Sequence, residues 1–201
     1  MNSDVSSYTK VIMKMRIAIA ILACMTGRAQ QAGSQEPQFT KDGKLMPPKD
    51  YREWVFVSSG LGMTYGPLAQ GATAEHPRFE NVFVNPRAYK AFLDTGAWPD
   101  KTMFILEVRN SKSNGSINKA GQYQEEIVGV QAEVKDEARF PGKWGFFRFP
   151  QSGEPAAMLP VTETCYACHS KNGAVDNTFV QFYPTLSPIA KAKGTFKASE
   201  K

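Results

Sequence analysis

Five consecutive residues, Cys165-Tyr166-Ala167-Cys168-His169, offer two thiols and an imidazole at the spacing used for covalent attachment of a c-type haem. Two cysteines three positions apart on a turn can each add to one haem vinyl group. A histidine fixed beside the second then swings beneath the iron as its proximal ligand. Cys165 and Cys168 are therefore read as thioether residues and His169 as the metal ligand. Other chemistries ask more of the chain. Structural zinc draws four Cys or His ligands, and beyond the first thirty residues the sequence holds only His76, Cys165, Cys168 and His169. A thioredoxin-like pair wants a strand and helix of a βαβ unit around it, and a disulfide across so short a loop would be strained.

The start of the chain fits this chemistry. Lys10, Lys14 and Arg16 precede the apolar run Ile17–Ala23, the basic-then-apolar pattern of a secretory signal. That run is too short to span a bilayer. Cleavage after Ala29 gives a soluble exported protein. Cleavage before Cys24 would give a lipid-anchored one, although Leu22 suits a lipoprotein box poorly. Residues 1–29 are thus expected as a signal, 30–48 as a leader loop, 49–190 as the haem domain and 191–201 as a polar tail. C-type haem is attached outside the bacterial inner membrane, so a periplasmic address agrees with the motif. Without residues 1–29 the net charge of +5 falls to +2, with 20 basic against 18 acidic residues. No basic patch is left to recruit nucleic acid.

Strand patterns dominate the remainder. Glu53–Ser58, Asn81–Asn85, Thr102–Val108, Tyr123–Lys135 and Trp144–Phe149 read as five strands, rich in β-branched and aromatic residues. In the fourth, Val128, Val130, Ala132 and Val134 alternate with Gln131 and Glu133, so the two sets line opposite faces. Asn85 and Pro86 open a helix that Gly96 closes. Ser187 and Pro188 open a short terminal one ending near Gly194. A polar turn is expected over 110–121, and the glycine loop Ser58–Pro67 matches no phosphate-binding spacing. So few helices between strands argue a β-rich α+β fold, an antiparallel sheet of about five strands with a C-terminal haem-attachment motif.

Several segments together resemble the cytochrome P-460 family, which includes the cytochromes c′-beta. They are Tyr51-Arg52-Glu53-Trp54-Val55, Trp98-Pro99-Asp100-Lys101-Thr102, Val134-Lys135-Asp136, Trp144-Gly145-Phe146-Phe147, the haem motif and Phe182-Tyr183-Pro184, spread over roughly residues 45 to 190. The resemblance implies a β-rich fold, often homodimeric, holding a five-coordinate haem whose distal side is shaped by sheet residues. In members that oxidise hydroxylamine, a strand lysine is bonded to the haem and a carboxylate sits over the iron. Alignment places Leu106 at the lysine position and Gln131 at the carboxylate position. Neither the cross-link nor the obvious proton acceptor is expected here, and Glu133, on the face of Gln131, could substitute only through a shifted register or a bulge.

Phe104 and Val108 share the face of Leu106 by strand parity, which gives an apolar lining suited to a small neutral ligand such as nitric oxide or simply a packed core face. A gas-binding haem protein of the cytochrome c′-beta kind is the leading expectation. A hydroxylamine or related nitrogen oxidoreductase is the first alternative. The second is a six-coordinate electron carrier with Met46, Met63, Met103 or Met158 as the extra ligand and a protein redox partner. His76, before Pro77 in a polar stretch, reads as a surface histidine. Arg148 and Gln181 are candidates to meet a haem propionate or the proximal ligand, and Tyr166 and Ala167 are expected only to fill the loop between the cysteines.

Overall fold

The computed structural model describes residues 35–64, 76–162 and 164–197. The expected signal over 1–29, with Cys24, lies outside the described residues, as does the end of the glycine loop from Tyr65. Five strands form one sheet: β1 (Val55–Leu61), β2 (Phe79–Val84), β3 (Met103–Lys112), β4 (Tyr123–Lys135) and β5 (Trp144–Phe149). Their spatial order is the sequence order, and every neighbouring pair is antiparallel. A meander of this kind needs only local connections. The helices are α1 (Pro86–Thr95), α2 (Thr164–Asn172) and α3 (Ser187–Ala192).

Element boundaries differ from the expectation where tertiary surroundings decide them. Tyr51–Glu53 is a 3-10 turn, and β1 begins at Val55 and continues through Gly60, which an edge strand tolerates. β3 reaches Lys112 instead of stopping at Val108. Asn110, Ser111 and Lys112 are polar strand residues because that end of the β3–β4 hairpin runs beyond the packed layers. α1 has Pro86 in its first turn and Gly96 as its left-handed cap, at φ 71°. In α3 the capping position is Leu186, and Ser187 is already helical.

Strand parity sorts the sheet into two faces, each with its own core. One face carries Val84, Phe104 and Phe146, and packs against Ala88 and Phe92 of α1, Cys165 of α2, and Leu186 and Ala190 near the C-terminus. Phe92 is fully buried against Trp98, ring centroids 4.0 Å apart, and a ring removed from water in this way contributes about 1.5–3 kcal/mol. The other face carries Met103, Ile105, Ala132, Val134, Phe147 and Phe149. It is covered by Leu45, Tyr51, Trp54 and Ala156. Leu45 bridges both Phe39 and Ala156 through its backbone, so part of the expected leader loop closes this second core. No described helix is long and apolar enough to cross a membrane.

Candidate functional site

The Cys-x-x-Cys-His segment is helical, and not a bare turn. Cys165, Cys168 and His169 all lie on α2. Residues three apart on a helix point the same way, so both thiols leave one side of it, and no disulfide joins them. Cys165 is buried in the first core and Cys168 is half-buried. Tyr166 is more than filler: its ring packs edge-on to Phe146 of β5, at 6.1 Å and 86°, and lies so close to Gly142 that a Cβ there would collide with it. That contact docks α2 onto the sheet.

His169 is gripped on several sides. Its ring stacks obliquely against Phe146 (4.6 Å) and Phe179 (4.2 Å). Nδ1 lies 2.8 Å from the carbonyl oxygen of Asn177 and donates to it, which leaves Nε2 as the nitrogen to offer an iron. Asn177 reaches that position because the chain doubles back after α2 in a tight Val175–Thr178 hairpin turn. Gly173 permits the return, since a Cβ there would stand 2.8 Å from the backbone of His169, Asp176 and Asn177. The turn is anchored by Trp98, whose Nε1 donates to Thr178 Oγ1 at 2.8 Å, and by Lys135, which pairs with Asp176 at 3.1 Å.

Glu133 of β4 completes the surroundings. Its Oε1 is 3.3 Å from His169 Nδ1, yet it is a buried oxygen without a hydrogen bond. The two findings agree once the single Nδ1 hydrogen is assigned to the nearer carbonyl of Asn177, because the carboxylate is then in charge contact only. Burial holds the Glu133 carboxyl above the usual range, with His169 opposing. Burial works to lower the His169 pKa, but the Glu133 charge and the Asn177 carbonyl outweigh it and raise it.

Register places the expected distal residues on this same face. Glu133 pairs with Phe104, and Gln131 pairs with Leu106, so all four side chains stand on the side where α2 packs. Phe104 is buried between Trp98 (4.7 Å) and Tyr183 (6.1 Å), a core position. Leu106, Val108, Val82 and Gln131 are half-buried, and a Cβ built at Gly129, which pairs with Val108, would meet nothing within 4 Å among the described residues. This part of the face is open and mostly apolar. Arg148 pairs with Gln131 from β5 and is exposed there.

Other candidates are placed elsewhere. Gln181 accepts from Ala174 N and donates to Asn172 O, bracing the end of α2. Met103 is buried in the core on the opposite face of the sheet, which removes it as a sixth ligand. His76 is exposed beside the β3–β4 hairpin, with Asn110 and Glu125 lining the same hollow. Spacing along the chain does not identify Glu133, Asn177, Phe146 or Phe179 as partners of His169. A carboxylate on the inward face of an apolar strand was the one sequence signal for Glu133, while the rest depends on how the chain folds back after Gly173.

These residues fit a haem. The two thiols share one side of a helix, the imidazole has its Nδ1 committed and its Nε2 in reserve, and an apolar sheet face lies open beside them. Among the described residues no group of three or more His, Cys, Asp or Glu side chains is arranged to hold a bare metal ion. A β-meander carrying a helix-borne Cys-x-x-Cys-His on one face suits a haem protein. A sequence model of the Cytochrome P460 family matches residues 48–180, and the chain belongs to that family, whose cofactor is haem. Comparison with curated protein sequences finds no match.

Proposed function

We propose that this is an exported c-type haem protein that binds a small neutral ligand such as nitric oxide at a five-coordinate iron. Cys165 and Cys168 would hold the haem and His169 would ligate its iron, and the bound group would supply the metal at which such a ligand binds. The observation that carries the reading is the direct pairing of Leu106 with Gln131 on the face shared with His169's surroundings. An oxidase of hydroxylamine would want an amine and a carboxylate there. Leu106 has no nucleophile, and the amide of Gln131 offers hydrogen bonds but takes up no proton near neutral pH. Leu106, Val82 and Val108 make this part of the face mostly apolar, which favours an uncharged diatomic ligand over ions.

Arg148 is suited to a propionate by its forked donors and exposed position. Export rests on the basic and apolar run before Ala29, with anchoring through Cys24 as the variant form. A homodimer and a redox partner protein belong to the same proposal. A second reading has one specific support. Glu80 pairs with Val108 and so brings a carboxylate to the same face, a short way from Leu106. A hydroxylamine-oxidising activity would use it as the proton acceptor.

Optical spectra of the purified holoprotein, oxidised, reduced and reduced with NO, test the proposal. A high-spin five-coordinate iron that takes up NO is expected. A low-spin six-coordinate iron indifferent to NO would identify an electron carrier. Hydroxylamine turnover that disappears in Glu80→Gln would establish the second reading instead.

A further inference from the structure

We propose that Glu133 is the positioning residue of the proximal ligand: its carboxylate and the Asn177 carbonyl together flank His169 Nδ1, fix the ring's tautomer and orientation, and strengthen its donation to iron. This rests on His169 being the haem ligand. Four observations support it independently of the motif. Glu133 is 8% exposed and stands in register between Phe104 and Phe146 on the helix-side face, a position where a charge costs desolvation. Its Oε1 lacks a hydrogen bond, and a buried polar atom without a partner asks for a reason.

The third is direction. Nδ1 is the ring nitrogen in charge contact with the carboxylate, at 3.3 Å, so the negative charge lies on the Nδ1 side of the imidazole, away from Nε2. A carboxylate at that place increases the basicity of a metal-bound histidine. The fourth is charge balance. Lys135, two residues along on the same face, is the nearest cation in sequence, but its ammonium is taken up by the Trp98 carbonyl at 2.7 Å and by Asp176. The field of Glu133 is therefore directed at His169. The Asn177 turn, held by Trp98–Thr178 and Lys135–Asp176, keeps the ring from rotating out of reach.

The test uses the holoprotein, after a pyridine haemochrome assay has established that haem is attached. In Glu133→Gln the reduction potential should rise, favouring the ferrous form by tenfold or more, which for a one-electron couple is about 59 mV. The iron–histidine stretching band of the reduced protein should fall in frequency, and Glu133→Asp should restore both toward wild type. Haem attached normally with an unchanged potential and stretch in Glu133→Gln would overturn the inference while leaving the haem reading intact. Absence of haem from the wild type would overturn both. If Glu133→Gln yields no holoprotein, the wild-type stretch decides: an imidazolate-like frequency supports the inference, and a neutral-imidazole frequency overturns it.

Discussion

Two buried glutamates sit on the central strands, one on each face of the sheet, and their surroundings are opposite in kind. Glu107 on β3 faces the side closed by Tyr51 and Trp54. It accepts from Tyr51 Oη (2.5 Å), Arg52 Nη2 (2.6 Å) and Arg109 Nε (2.5 Å), with Asn81 Nδ2 at 3.4 Å. Glu133 on β4 faces α2 and has one charge contact and an oxygen with no hydrogen bond. Burial acts to raise both carboxyls. At Glu107 the donors from Arg109, Tyr51 and Arg52 overcome it and hold the pKa low, and at Glu133 burial prevails. A saturated carboxylate is a structural fastening, here tying the 3-10 turn to β3. An under-satisfied one is a group whose partner lies in the chemistry of the site.

The largest effect should come from breaking the saturated side. Glu107→Ala leaves the buried Tyr51 hydroxyl and the half-buried Arg109 without their acceptor. Removing one partner of such a network costs about 3 kcal/mol, the low end for a buried pair because Arg52 is half exposed and can turn to water. Chemical denaturation of the holoprotein measures it, and a loss near zero would mean that Glu107 is no fastening. The acid limb of stability sharpens the same point. The folded-state pKa of Glu107 lies below its unfolded value, so its contribution is fully present above the unfolded value of about 4.5 and is lost as pH falls through the folded one. Glu107→Gln should be less stable than wild type at pH 7, with the gap narrowing as the pH is taken toward 2.

Glu133→Leu should behave in the opposite way. It replaces a buried carboxylate, one oxygen of which has no hydrogen bond, with an apolar side chain of similar size, and the desolvation cost of the carboxylate goes with it, while His169 Nδ1 keeps the Asn177 carbonyl as its acceptor. The holoprotein's unfolding free energy should change by less than about 1 kcal/mol. A loss comparable to that of Glu107→Ala would erase the contrast between the two faces and show that Glu133 serves the fold.

How much of this was readable beforehand follows from the same contrast. The strands of the meander, α1 with its Pro86 start and Gly96 stop, and the Cys165–His169 spacing are local patterns, and the sequence displays them directly. The alternation in β4 already put Gln131 and Glu133 on one face. It could not say which of the two meets His169, because that depends on the β3–β4 register and on how α2 docks through Tyr166. Nor does spacing announce the Asn177 carbonyl, which reaches the histidine only because Gly173 lets the backbone approach itself. Glu107 gathers its donors from positions more than fifty residues away at Tyr51 and Arg52, a convergence no window of sequence contains. Phe104 fits either a ligand wall or a packed core face by strand parity, and only the folded chain shows Trp98 and Tyr183 packed against it.

The smallest expected effect lies at the open end of the helix-side face. Gly129 has ordinary backbone dihedrals rather than the left-handed ones of Gly43 or Gly62, and the space beyond it is clear. Gly129→Ala therefore introduces no collision, and it narrows the freedom of the unfolded chain, which stabilises by roughly 0.4–1 kcal/mol where the fold accepts the new side chain. On the opposite face Gly145 has no such room, since a Cβ there would stand 2.8 Å from the Phe140 ring. Gly129→Trp separates the space from the fold: a large ring at that position stays in the open region shared with Leu106 and Gln131. Denaturation should register little change, while NO uptake by the reduced holoprotein should slow markedly. Equal NO kinetics in wild type and Gly129→Trp would mean that the ligand reaches the iron without crossing this part of the sheet, and would move the distal side away from Leu106 and Gln131.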